Sequence, residues 1–146
     1  MSLTNAMLLL ASINFLTVDD AKKDDAEAIK GKWVAVSIKQ GGFTAPDELV
    51  KAFKFEFDGK NYTNTGSGGQ SEEGGFTLDS SKSPRTINFD IKTGNDKGKK
   101  QLGIYKLDGD KLTIVASTAG STDRPKSLEP DANSPELLIV LKREKP

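Results

Sequence analysis

Between Ala52 and Gly59 the chain reads A-F-K-F-E-F-D-G. Phe53, Phe55 and Phe57 hold every second position, with Lys54 and Glu56 between them. An extended backbone sends the three rings to one side and the two charges to the other. Asp58-Gly59 then supplies the backbone freedom that a tight hairpin needs, and Asn61 to Thr65 forms the predicted return strand. Alternation followed by turn chemistry recurs along the chain and is what most restricts its fold.

The first such segment is Lys32 to Gln40 (KWVAVSIKQ), broken by Gly41-Gly42. Pro46 to Lys51 suits a single helical turn with its proline near the start. Gly66 to Gly75 (GSGGQSEEGG) is too glycine-rich for an element interior, except as a bulged, sharply bent strand. Phe76 and Leu78 open the next alternation, and Ser80 to Pro84 turns the chain. Thr86 to Lys92 places Ile87, Phe89 and Ile91 opposite Asn88 and Asp90. A tip carrying Lys97, Lys99 and Lys100 leads into Gln101 to Leu107, and Asp108-Gly109 turns into Lys111 to Ser117. Residues 118–134 form a loop rich in Ser, Thr, Asp and Pro. Glu136 to Lys142 is apolar on both faces, which suits a strand covered on two sides, with the N-terminal helix as its candidate cover.

Eight strands in hairpin succession predict an all-β fold: an eight-stranded antiparallel up-and-down barrel, with a sandwich as the alternative. Short links favour the up-and-down path over a Greek key, and closure removes exposed strand edges. Before the barrel, Asp19 to Lys30 is rich in helix formers and stops at Gly31, predicting one short N-terminal helix. Ala6 to Val18 is an apolar run of 13 residues, too short to span a bilayer as a helix. It resembles a degenerate export signal, lacking a preceding Lys or Arg and a small-x-small site. An amphipathic segment packed on the domain is the alternative. The expected organisation is an apolar leader over 1–18, a helix over 19–30 and a barrel over 31–146. The expected location is extracytoplasmic, periplasmic or secreted, with the cytoplasm as the alternative.

The 146 residues include no Cys and no His. Disulfides, thiol nucleophiles and Cys-type zinc sites are therefore closed, as are the commonest general base and metal ligand. The 21 basic side chains balance 21 acidic ones, so no broad field draws nucleic acid or an anionic membrane. No aromatic side chain is interleaved among Lys97, Lys99 and Lys100 to stack on a base. No catalytic residue, cofactor or metal ligand is nominated. A carboxylate-dependent hydrolase is the distant third reading, with Asp90 the kind of residue it would use. Phe53, Phe55, Phe57, Phe76, Phe89 and Tyr105 are spread over several predicted strands, and on a closed barrel several of them would converge inside. They make either a packed core or the lining of a partly hollow cup for one small apolar ligand. The leading expectation is a monomeric, non-enzymatic domain that holds such a ligand or nothing. The alternative is a protein-interaction module of the cell envelope with a solid core, working through residues 118–134 and 66–75.

Gly31-Lys32-Trp33, following a helix and opening the first strand, resembles the start of the lipocalin and fatty-acid-binding-like barrels. That resemblance implies an Arg from the last strand lying over the Trp, a structural part that Arg143 would play. The stretches IKGKWVAVS (29–37), FEFDGKNYT (55–63), SPRTINFD (83–90), GIYKLDGDKLTI (103–114) and RPKSLEP…LLIVLKRE (124–144) resemble the uncharacterised planctomycete lipocalin-like domain family. The similarity runs in order from about Ala28 to Glu144. It implies a lipocalin-like barrel, often exported or attached to larger envelope proteins, and carries no activity, catalytic residue or ligand.

Overall fold

The computed structural model describes residues 25–145. The leader expected over 1–18 and the first part of the helix expected over 19–30 lie outside the described residues. Residues 25–28 are helical, and the chain enters β1 (Gly31–Gln40) through Gly31 at φ +119°. The order then runs β2 (Phe43–Thr44), α1 (Asp47–Ala52), β3 (Lys54–Phe57), β4 (Asn61–Thr65), a 3-10 turn (Ser67–Gly69) and β5 (Ser71–Asp79). It continues with β6 (Arg85–Ile91), β7 (Lys100–Asp108), β8 (Lys111–Ala116) and β9 (Leu137–Arg143). From β3 to β9 each strand pairs with the next, antiparallel throughout. β1 pairs with β3 on one side and with β9 on the other, from Trp33↔Arg143 to Gln40↔Leu137. The result is a closed eight-stranded up-and-down barrel of lipocalin-like shape. Among the described residues, no helix is long and apolar enough to cross a membrane.

Two local features depart from the pattern in the sequence. Gly41-Gly42 does not simply end β1. Both glycines have positive φ, +56° and +81°, and they turn the chain back into β2, an extra strand paired with Lys39 and Gln40. The second departure is β5, which starts at Ser71 and so takes Gly74 and Gly75 into a regular strand. The cause is close packing rather than backbone freedom. A Cβ on Gly74 would lie 2.1 Å from the Asp90 carbonyl oxygen and 3.0 Å from the Tyr62 ring. Only glycine lets β6 and that ring approach β5 so closely.

Alternate residues of the strands fill the interior, where Trp33, Phe55, Phe57, Tyr62, Ile87, Phe89, Tyr105, Leu112, Ile114, Ile139 and Leu141 are all buried. The end nearest the chain's entry is plugged. Ile29 is fully buried there, and its carbonyl accepts a hydrogen bond from Trp33 Nε1 at 2.8 Å. The Arg143 guanidinium stands 4.3 Å from the Trp33 ring centroid. It also donates to the carbonyls of Lys30 (2.8 Å) and Ala28 (2.6 Å) and to Asp110 Oδ1 (3.1 Å). Asp25 accepts from the Tyr105 hydroxyl at 2.5 Å and from Arg85 at 3.0 Å. Residues 25–29 thus sit under the barrel, not against the outer face of β9, held there by the burial of Ile29 and by the contacts of Asp25, Ala28 and Ile29 with Tyr105, Arg85, Arg143 and Trp33. The outward Leu138 and Val140 of β9 are half-buried.

The 118–134 loop is a strap held to the outer wall. Arg124 donates to the carbonyls of Gly103 (2.8 Å) and Ile87 (3.3 Å) and to Asn88 Oδ1 (2.7 Å). Ile104, on the outer face of β7, shares a cleft with strap residues Thr122 to Ser127.

Gly74→Ala is expected to cost about 3 kcal/mol through backbone overlap, whereas Gly75→Ala, whose added Cβ meets nothing closer than 3.7 Å, should cost no more than about 0.5 kcal/mol. Urea denaturation of the two variants checks the contrast. Arg143→Ala should lower stability by about 2–3 kcal/mol, from the lost ring contact and hydrogen bonds, and shift the emission of the single Trp to the red. Unchanged emission would contradict a sealed base.

Candidate ligand-binding cup

The far end of the barrel, opposite the plug, holds an open pocket of about 580 Å³. The end of β1, the β2–α1 connection, the β4–β5 connection, the β6–β7 turn and the start of β9 surround it. Pro46 precedes α1 as its N-cap, and its carbonyl accepts from Leu49 N (3.0 Å) and Val50 N (3.1 Å). Val50 is buried, which anchors the helix and leaves Leu49 facing outward. The helix stops where Phe53 adopts extended geometry (φ −92°, ψ 123°). Phe53 therefore lies at the mouth, with its ring edge-on to Phe55 at 5.5 Å.

Ile38, Ala45, Leu49, Phe53 and Leu137 supply apolar wall, and Phe43 joins them at the lip. Phe43 is 60% exposed and Leu49 42%. The polar side of the cup is built by β4 and β5. Tyr62 donates its hydroxyl to Glu72 Oε1 at 2.9 Å, and Asn64 Nδ2 reaches the same oxygen at 3.4 Å. Asp96 on the rim is engaged by Lys99 Nζ at 3.3 Å. No Lys or Arg is among the residues lining the cup.

Beneath the cup the barrel is filled with rings. Phe55 stacks on Phe57 at 5.1 Å, Phe57 meets Phe76 edge-on at 4.9 Å, and Tyr62 meets Phe89 edge-on at 4.9 Å. Phe55 and Phe89 close the set at 6.0 Å. Of the six side chains expected to converge, Phe53 borders the cup. Phe55, Phe57, Phe76 and Phe89 form the packed aromatic layer, and Tyr105 sits at the base on Asp25. Asp90 is exposed on the outer face of β6, while Glu72 faces the cup, so these two carboxylates serve different surfaces.

Sequence reasoning missed Glu72, because it lies in the stretch read as too glycine-rich for an element interior except as a bulged, sharply bent strand. It missed Phe43 because a two-residue strand carries no alternation. The signal for Glu72 was present: counting back by twos from Leu78 and Phe76 puts Gly74 and Glu72 on the inward face.

The fold and the cup together define a lipocalin-like barrel with a filled interior and an open mouth. No family model, curated protein or solved structure matches the chain.

Both tyrosines of the chain, Tyr62 and Tyr105, have hydroxyls pushed well above the usual phenol range. Burial is the main cause for each, followed by the hydrogen bonds to Glu72 and Asp25. A raised pKa means that folding favours the protonated phenol. That contribution is full below the ordinary value of about 10 and is lost as pH rises beyond it. An alkaline titration followed by near-ultraviolet absorbance should therefore show no phenolate in the folded protein at about pH 10. Both signals should appear later, together with unfolding. Half-ionisation of either tyrosine in folded protein at that pH would show the burial to be wrong.

Proposed function

We propose that this chain is a non-enzymatic binding domain whose mouth cup, rather than its barrel interior, takes one small, largely apolar ligand. The observation that carries this reading is the pairing of an open cup of about 580 Å³ with Phe43 and Leu49 left exposed on its lip. The volume falls within the range of about 300–1,000 Å³ usual for small-molecule sites. Apolar side chains held in water contribute nothing to folding there, and a ligand would cover them. The non-enzymatic part rests on the absence of His and Cys from the whole sequence. The likeness of the five sequence segments to the planctomycete lipocalin-like family motivates an extracytoplasmic location.

The packed aromatic layer favours a second reading, the envelope interaction module with a solid core. Its working surface is narrower than the sequence suggests. The strap is clasped by Arg124, and only residues 66–70 of the glycine-rich stretch stay outside β5.

An uncharged lipophilic fluorescent probe should bind with micromolar affinity. Leu49→Asp and Phe53→Asp should each weaken it roughly tenfold, about 1.4 kcal/mol, while the outer-face change Lys54→Asp leaves it unchanged. No detectable probe binding by folded protein removes the ligand reading and leaves the interaction module.

A further inference from the structure

We infer that the ligand of the cup is a single-chain amphiphile with a cationic head, an alkyl or aryl-alkyl ammonium, held by Glu72. This rests on the mouth cup being a binding site and adds the chemistry of what it selects. Glu72 stands on β5 in register with Gly74 and Phe76, whose side of the strand faces the barrel interior, so its carboxylate sits at the cup's inner polar wall. Its described donors, Tyr62 and Asn64, both go to Oε1. Oε2 receives no hydrogen bond among the described residues.

The apolar lining includes Ile38, Phe53 and Leu137, so a bound tail meets hydrocarbon while the head meets the carboxylate. The charge balance is one-sided. Glu72 and Asp96 line the cup with no Lys or Arg, and Lys99 offsets Asp96 alone. A cation entering the cup gains an opposite charge. An anion would meet an uncompensated carboxylate in the same space. The order set by charge is cation, then neutral, then anion, for one tail.

The test uses three ligands with one tail (decylamine, decanol and decanoate), each displacing the uncharged probe below its micelle-forming concentration. The wild-type protein should bind the amine roughly tenfold tighter than the alcohol, and decanoate more weakly than either. Glu72→Gln keeps an oxygen for the Tyr62 hydroxyl and should abolish the preference, so that amine and alcohol bind the variant equally. An amine no tighter than the alcohol in the wild-type protein overturns the inference and leaves the cup reading standing. So does a preference for the amine that persists in a folded Glu72→Gln. Failure of all three ligands and of the probe overturns both.

Discussion

The structure depends on the seam where β9 meets β1. A twisted sheet of eight strands is a barrel only if its last strand finds its first, and here the seam runs from Trp33↔Arg143 to Gln40↔Leu137. Arg143 does more than end the last strand. Its guanidinium covers Trp33 and gathers the carbonyls of Ala28 and Lys30. One side chain thereby joins the final strand, the first strand and the segment that precedes the barrel. An Arg stacked on an indole is worth about 0.5–2 kcal/mol. Its larger consequence is geometric, because it places Ile29 in the barrel end and seals that end from water.

Sealing one end leaves the mouth as the open end of the barrel. A barrel of eight strands is just wide enough to be filled by its own side chains, and this one is filled by aromatic rings that meet edge-on and stacked. Such contacts contribute beyond the area they bury, so the rings favour one another over a guest. The mouth differs because α1 and β2 stand at its lip instead of capping it. Val50 turns inward and anchors the lip, and Leu49 and Phe43 are left in water. An open, amphipathic cup over a solid aromatic floor follows from that arrangement.

Electrostatics are concentrated rather than global. The chain carries no net charge, and most ion pairs lie on the outer surface, where they contribute little. The informative polar groups are inside: Tyr62 with Glu72 near the mouth and Tyr105 with Asp25 at the base. Each pairs a phenol that stays protonated with a carboxylate that accepts from it. They keep buried oxygens satisfied at the two ends of an otherwise apolar interior.

The alternation of Phe53, Phe55 and Phe57, the Asp-Gly turns and the short links were enough to determine the class of fold, the up-and-down path and most strand positions. These are local properties, set by a side-chain period of two and by turn conformations that glycine permits. The placing of Trp33 against Arg143 was legible only through resemblance, since no local rule joins residues 110 positions apart. Tertiary structure alone decided that Gly74 belongs to a strand, because the reason is the Asp90 carbonyl pressed against it from β6. It alone decided that the aromatic side chains fill the barrel instead of lining a hollow. Whether a space is occupied depends on how side chains from distant strands share a fixed volume, and one chain read in order contains no measure of that volume.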